Sequence, residues 1–141
     1  IRAVLDAEPE IYNHNTETVP RLFKRCRPGG RYERVLEIFR AAKRIAPEIP
    51  TKTGLILGMG ETIPEVLQTM RELREVDVDI LTLGQYLRPS ANHHPLDRYV
   101  TPEEFRELRD AGREMGYRHV ESGPLVRSSY HAWEQVQAAG V

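Results

Sequence analysis

Residues 51–66, TKTGLILGMGETIPEV, restrict the fold more than any other stretch of the chain. Gly54-Leu55-Ile56-Leu57 is a short apolar run of the kind that forms a strand buried on both faces. Gly58-Met59-Gly60 follows, and glycine lets a backbone turn sharply or approach a ligand closely. Thr62-Ile63-Pro64-Glu65 has N-cap and capping-box spacing, so a helix is expected to start there. Strand, glycine turn and capped helix make half of a βαβ unit, and α/β proteins place ligands at such turns. The glycines do not complete G-x-G-x-x-G, because Ile63 stands at the third position, and no Gly-Lys-Ser/Thr follows. A dinucleotide loop and a P-loop are therefore poorly supported, and a plain tight turn stays open.

At 141 residues the chain suffices for one ordinary domain with a core of its own. Its 20 Lys and Arg nearly balance 21 Asp and Glu, so charge gives no reason to invoke nucleic acid or an anionic membrane. Cys26 is the only cysteine, which excludes an internal disulfide and an all-cysteine metal site. That composition suits a reducing, cytoplasmic compartment. No apolar run approaches the ~18 residues of a membrane span, and no signal-peptide pattern is present. The chain opens on Ile1, in what reads as the end of a helix, and is expected to be a piece of something longer.

Around the central stretch the pattern alternates. Glu10-Ile11-Tyr12 reads as a short strand, residues 18–27 as a short helix stopped by Pro28-Gly29-Gly30, and 32–46 as an amphipathic helix with Val35, Ile38, Phe39, Ala42 and Ile45 on one face. Residues 79–84 form the next strand, with a long loop from Gln85 to Val100. Thr101-Pro102-Glu103-Glu104 opens another capped helix, Gly116 is its left-handed C-cap, and 117–122 is a last short strand. Alternating strands and helices predict an α/β fold with a parallel sheet, either open and doubly wound or part of a (β/α) barrel. About four strands are countable, roughly half of what a closed barrel of eight requires.

Polar groups recur just past predicted strands: Asn13, His14 and Asn15; Gly58, Gly60 and Glu61; Gln85, Tyr86 and Arg88. In a parallel sheet that end faces the ligand, although loops are also polar simply because they face water. His93-His94 invites a metal, but adjacent loop residues rarely aim at one ion and no partner ligand is evident. The basic run Arg21, Lys24, Arg25, Arg27 reads as a solvated helix face or as a dock for an acidic protein. Its charges would lower the pKa of Cys26 and make it reactive, if the cysteine has a role at all. No Asp-His-Ser order or G-x-S-x-G elbow accompanies Ser128 and Ser129, so a hydrolase is not supported.

Taken together, NHNTETVPRLFKRCRPG, YERVLEIFRAAK, PTKTGLILGMGET, DILTLGQYLRPS, RYVTPEEF and SGPLVRSSYHA resemble the carboxyl-terminal half of the lipoyl synthase family, from about Tyr12 to His131. The resemblance implies a radical S-adenosylmethionine enzyme on a partial (β/α)₆ TIM-like barrel, residues 1–122 forming its carboxyl-terminal half and 123–141 a tail. Such a sulfurtransferase adds two sulfur atoms to the octanoyl chain of a lysine on a carrier protein, either a lipoyl domain of a 2-oxoacid dehydrogenase or the H protein of glycine cleavage. It further implies two 4Fe–4S clusters, one on a C-x₃-C-x₂-C motif that cleaves S-adenosylmethionine and an auxiliary one on a C-x₄-C-x₅-C motif plus a serine. Both cysteine motifs belong to the other half of the family's sequence and are absent here. The serine carries over to Ser129, as catalytic residue and metal ligand. GLILGMGE is similar to the strand motif that supports the adenine, which implies cofactor-binding roles for Gly54, Gly58, Gly60 and Glu61, while Asn13, His14 and Asn15 fall where ribose and methionine contacts are common. On this reading the chain alone is inactive. The alternatives are a phosphate- or nucleotide-binding half of another barrel enzyme, recognisable by an anion at the 58–62 turn, or a non-catalytic interaction module.

Overall fold

The computed structural model describes residues 2–6, 10–26 and 29–126. In chain order these form α1 (Arg2–Asp6), β1 (Tyr12–Asn13), a 3₁₀ turn (Pro20–Leu22) running into α2 (Phe23–Cys26), α3 (Tyr32–Ile45), β2 (Thr51–Leu57), α4 (Ile63–Glu75), β3 (Ile80–Gln85), α5 (Pro102–Glu114) and β4 (His119–Ser122). None of these helices is long and apolar enough to cross a membrane.

The four strands pair in parallel, in the order β1-β2-β3-β4. Spatial order thus follows sequence order, with none of the reversal that defines a doubly wound sheet. Right-handed crossovers in an unreversed sheet put every helix on one face. Of the two architectures open at the sequence level, this one is compatible with part of a (β/α) barrel.

The faces of the sheet differ in chemistry. Leu55, Leu57, Leu81, Leu83 and Val120 join the apolar core with Phe39 of α3, Val66, Met70 and Leu73 of α4, and Phe105 and Leu108 of α5. The alternate positions form the inner face, where register sets Asn13 beside Lys52, Gly54 beside Thr82, Thr82 in turn beside Glu121, and Ile56 beside Gly84. Ile80, on that face, is buried yet stands outside the helix-side core.

Both predicted capping boxes form. Thr62 Oγ1 accepts from the Glu65 amide while the Glu65 carboxylate accepts from the Thr62 amide, and Thr101 and Glu104 do the same for α5. Gly116 adopts φ 101°, the left-handed C-cap expected of it. β2 begins at Thr51, three residues before the apolar run, because its polar start is satisfied from elsewhere. Asp79 Oδ2 accepts from the Thr51 amide at 2.9 Å and from Lys43 Nζ at 2.7 Å, joining α3 to the starts of two strands. The last strand starts at His119 rather than at 117, and Gln85, read as loop, is the final residue of β3.

Candidate functional site

Beyond β1 the chain stays hydrogen-bonded to β2. The His14 amide donates to Lys52 O, and the amides of Thr16 and Glu17 both donate to Gly54 O, at 3.2 and 3.0 Å. Two residues against one make a bulge, which redirects the side chains that follow. Thr53 Oγ1 donates to His14 O at 2.9 Å and accepts from Thr16 Oγ1 at 2.7 Å, locking the bulged segment down. Glu17 sits at φ 76°, a conformation costing an L-residue about 1 kcal/mol or more. Strain of this kind concentrates where side-chain direction matters.

The bulge bounds a cavity of about 200 Å³ at the carboxyl ends of β2 and β3, lined by Asn15, Glu17, Ile56, Thr82, Gln85 and Val126, with Gly54 and Gly84 on its wall. Neither glycine leaves room for a side chain. A Cβ on Gly54 would lie 2.7 Å from Thr82 Oγ1, and one on Gly84 would lie 2.7 Å from the Val126 carbonyl. A larger, more open groove of about 460 Å³ adjoins it, sharing Glu17 and Ile56 and lined further by Arg25, Cys26, Met59, Tyr86 and His94.

The long loop after β3 forms the groove's outer wall. Gln85 is buried and anchors it, accepting from the Val100 amide and donating to Tyr86 O and Arg98 O. Gly58 O accepts from the Asp97 amide, Tyr86 Oη donates to His94 O, and His94 Nε2 donates to Met59 O at 2.7 Å. His93 Nδ1 is hydrogen-bonded to Ser90 Oγ instead. The two histidines are thus committed to the loop, and among the described residues no three His, Cys, Asp or Glu side chains gather as a metal site.

Alternation divides the predicted site residues. Asn15 and Gly54 line the inner cavity. Asn13 is exposed on the edge of the same face. His14 points the other way, its ring edge-on to Phe39 at 6.2 Å on the helix side. Gly58, Gly60 and Glu61 build the turn. Gly58 has φ 103°, and a Cβ there would strike Gln85 Nε2 and come within 2.5 Å of Arg98 O. Gly60 O accepts from Arg21 Nη2 at 2.7 Å. The buried Glu61 carboxylate closes the nest, accepting from the Gly58 amide through both oxygens at 3.0 and 3.1 Å and from the Met59 amide at 3.1 Å. The turn therefore carries its own anion, and the phosphate-binding alternative loses its site. Ser129 lies outside the described residues.

Sequence reasoning missed Glu17, Thr82 and Gly84. Only strand register and the bulge bring them to the cavity. The basic run does not activate Cys26, because burial pushes the thiol pKa up, Glu61 adds to this, and Arg25 offsets only part of it. Arg21, from the same basic run, is held by both oxygens of Glu65 at 2.8 and 2.9 Å. On the inner face near the amino ends of the strands, burial lowers the pKa of Lys52, with Glu121 opposing the shift.

No family model matches the chain. Individual proteins do. Over 138 residues, 98% of its length, the chain is 59% identical to the lipoyl synthase of Koribacter versatilis, covering 45% of that protein. It is 56% identical to the lipoyl synthase of Rubrobacter xylanophilus over 99% of the chain and 43% of the relative. With the lipoyl synthase of Bacillus cytotoxicus the identity is 53%, over 99% of the chain and 47% of the relative. The chain spans somewhat less than half the length of these relatives. Identity this high over nearly the whole chain places it in the lipoyl synthase family.

Proposed function

We propose that this chain is the carboxyl-terminal half of a radical S-adenosylmethionine barrel, and that the complete protein inserts two sulfur atoms at carbons six and eight of an octanoyl chain on a carrier-protein lysine. The observation that carries this reading is the 53–59% identity to lipoyl synthases over nearly the whole chain. The unreversed parallel sheet, with its cavity at the strand ends, agrees with it. The carriers are the lipoyl domains of 2-oxoacid dehydrogenases and the glycine cleavage H protein, and the compartment is the cytoplasm.

The cavity's donor set suits an adenosyl ligand. Asn15, Glu17 and Thr82 offer hydrogen bonds for ribose hydroxyls and an ammonium group, and Ile56 offers an apolar surface for a base. S-adenosylmethionine held there would, on one-electron reduction by the cluster of the other half and release of methionine, supply a 5′-deoxyadenosyl radical able to take hydrogen from the acyl chain. The residues of this chain orient and exclude water: the bulge aims Glu17, Thr53 clamps Thr16, and Gln85 holds the loop wall in place. Gly58, Gly60 and Glu61 act through the turn they build.

The described residues do not fit an iron–sulfur cluster, which is held by thiolates, since Cys26 is alone. The chain's own proposed contribution is Ser129, as ligand of the auxiliary cluster. Ser129→Ala in the complete protein tests it. The expected result separates two half-reactions: 5′-deoxyadenosine still forms, while mass spectrometry finds little or no lipoyl product. Ser128→Ala is the control and should cost far less. A Ser129 that only hydrogen-bonds backbone would cost about 1 kcal/mol of stability and leave product formation near normal. Sulfur insertion at the wild-type rate by Ser129→Ala refutes the ligand role, and a wild-type protein that inserts no sulfur refutes the function.

A further inference from the structure

We infer that the outer groove receives the polypeptide segment bearing the acylated lysine, and that Arg25, assisted by Lys24, reads an acidic side chain on that segment. The inference rests on the proposed function and adds to it which surface meets the carrier and by what chemistry. The groove is continuous with the inner cavity through Ile56 and Glu17, so a side chain entering it points toward the adenosyl site.

Its floor suits an aliphatic chain. Cys26 Sγ lies 3.7 Å from Met59 Sδ, and Ile56 and Tyr86 continue the apolar surface. Its walls are preformed, since Tyr86 and His94 are fixed by hydrogen bonds to loop and turn carbonyls. Its rim is cationic. Lys24 and Arg25 are exposed on α2, with Arg25 lining the groove.

Neighbouring Arg21 is engaged by Glu65, whereas among the described residues neither Lys24 nor Arg25 forms an ion pair. Unpaired positive charge there does nothing for a neutral acyl chain and repels a sulfonium. It attracts a carboxylate beside the lysine and steers an acidic surface to the groove mouth. Glu17, the one anionic residue lining the groove, also lines the adenosyl cavity and forms no ion pair with Arg25.

The test uses the complete protein and two fluorescent octanoyl-lysyl peptides of equal length, one with Asp and Glu flanking the lysine and one with Asn and Gln. Wild-type protein should bind the acidic peptide about tenfold more tightly at low salt, with the preference shrinking as ionic strength rises. Arg25→Glu and Lys24→Glu should erase that preference while changing affinity for the neutral peptide less than about twofold. Arg106→Glu, at an exposed position on α5, controls for net charge, and Arg25→Gln gives an intermediate response should the reversal impair folding. Equal binding of both peptides by wild type, or equal loss of both in Arg25→Glu, overturns the inference. In either case sulfur insertion into the neutral peptide shows that the proposed function itself stands. Failure of wild type to modify any octanoyl-lysyl peptide removes that function and this inference with it.

Discussion

Replacing Glu61 with alanine probes the turn after β2 most directly. The carboxylate is 7% exposed and accepts three hydrogen bonds from two backbone amides, those of Gly58 and Met59. Its removal leaves both amides buried and unpaired, at about 1–3 kcal/mol each. The expected loss is therefore about 2–6 kcal/mol, a large fraction of a typical domain's ~5–15 kcal/mol. Denaturant unfolding of the complete protein measures it, read as a shift in midpoint at constant slope. Glu61→Gln should fall in between, because one oxygen remains to accept while the new amide group opposes the second N–H.

A second reading follows from the emptied nest. In Glu61→Ala the two amides face a space a small anion fills, so sulfate should stabilise the variant more than it stabilises wild type. In wild type the site is already occupied. A loss below about 0.5 kcal/mol, the range of an ordinary surface substitution, would refute the structural role assigned to Glu61. Equal sulfate responses in both proteins would refute the nest.

Gly58→Ala should destabilise by about 1–3 kcal/mol, through its positive φ, and should raise proteolytic cutting within residues 86–100, which Gln85 and Arg98 no longer pin. A variant of normal stability that loses only S-adenosylmethionine affinity would make Gly58 a ligand contact instead. The acid limb of stability should depend on Glu65 and Glu104, whose pKa values are lowered to about 2 by hydrogen bonds from Arg21 and Arg98 and then by the cap amides. A depressed folded-state pKa gives stability that is complete above the ordinary carboxylate range and is lost as pH falls from about 4.5 toward 2. Both pairs are partly solvated, so each contributes under about 1 kcal/mol. Glu65→Gln with Glu104→Gln should flatten the slope in that window, and an unchanged slope would contradict the assignment.

What could be read from the sequence depended on how local the cause was. The capping boxes at Thr62 and Thr101 need only four consecutive residues, and both form as read. The polar start of β2 was invisible because its partners are remote: Thr53 is satisfied by Thr16, 37 residues away, and Thr51 by Asp79, 28 away. Asn13-His14-Asn15 reads as one polar unit, yet strand alternation sends Asn15 to the cavity and His14 against Phe39. The direction of Glu17 depends on a bulge and a positive φ that no composition rule anticipates. Cys26 shows the converse. Basic sequence neighbours suggested a lowered pKa, but burial in space governs it.

The inner face departs most from what stability alone would favour. On the helix side, Leu55, Leu57, Leu81 and Leu83 fill the middle of the two central strands with large apolar groups. Across the sheet, the matching positions are Gly54, Ile56, Thr82 and Gly84. Two of those four have no side chain at all, and filling one with a valine-sized group in a fold free to adjust would add about 1.5–3 kcal/mol of apolar burial. Instead the space beside Gly84 is taken by the backbone of Val126, and that beside Gly54 by Thr82 and Asn15. A strained Glu17 stands at the open side. Local rules are broken together, on one face and at the carboxyl ends of the strands, the end at which parallel α/β sheets place their ligands. The cavity is thus a constructed feature of the sheet, and the helix-side core supplies the stability that lets it stay open.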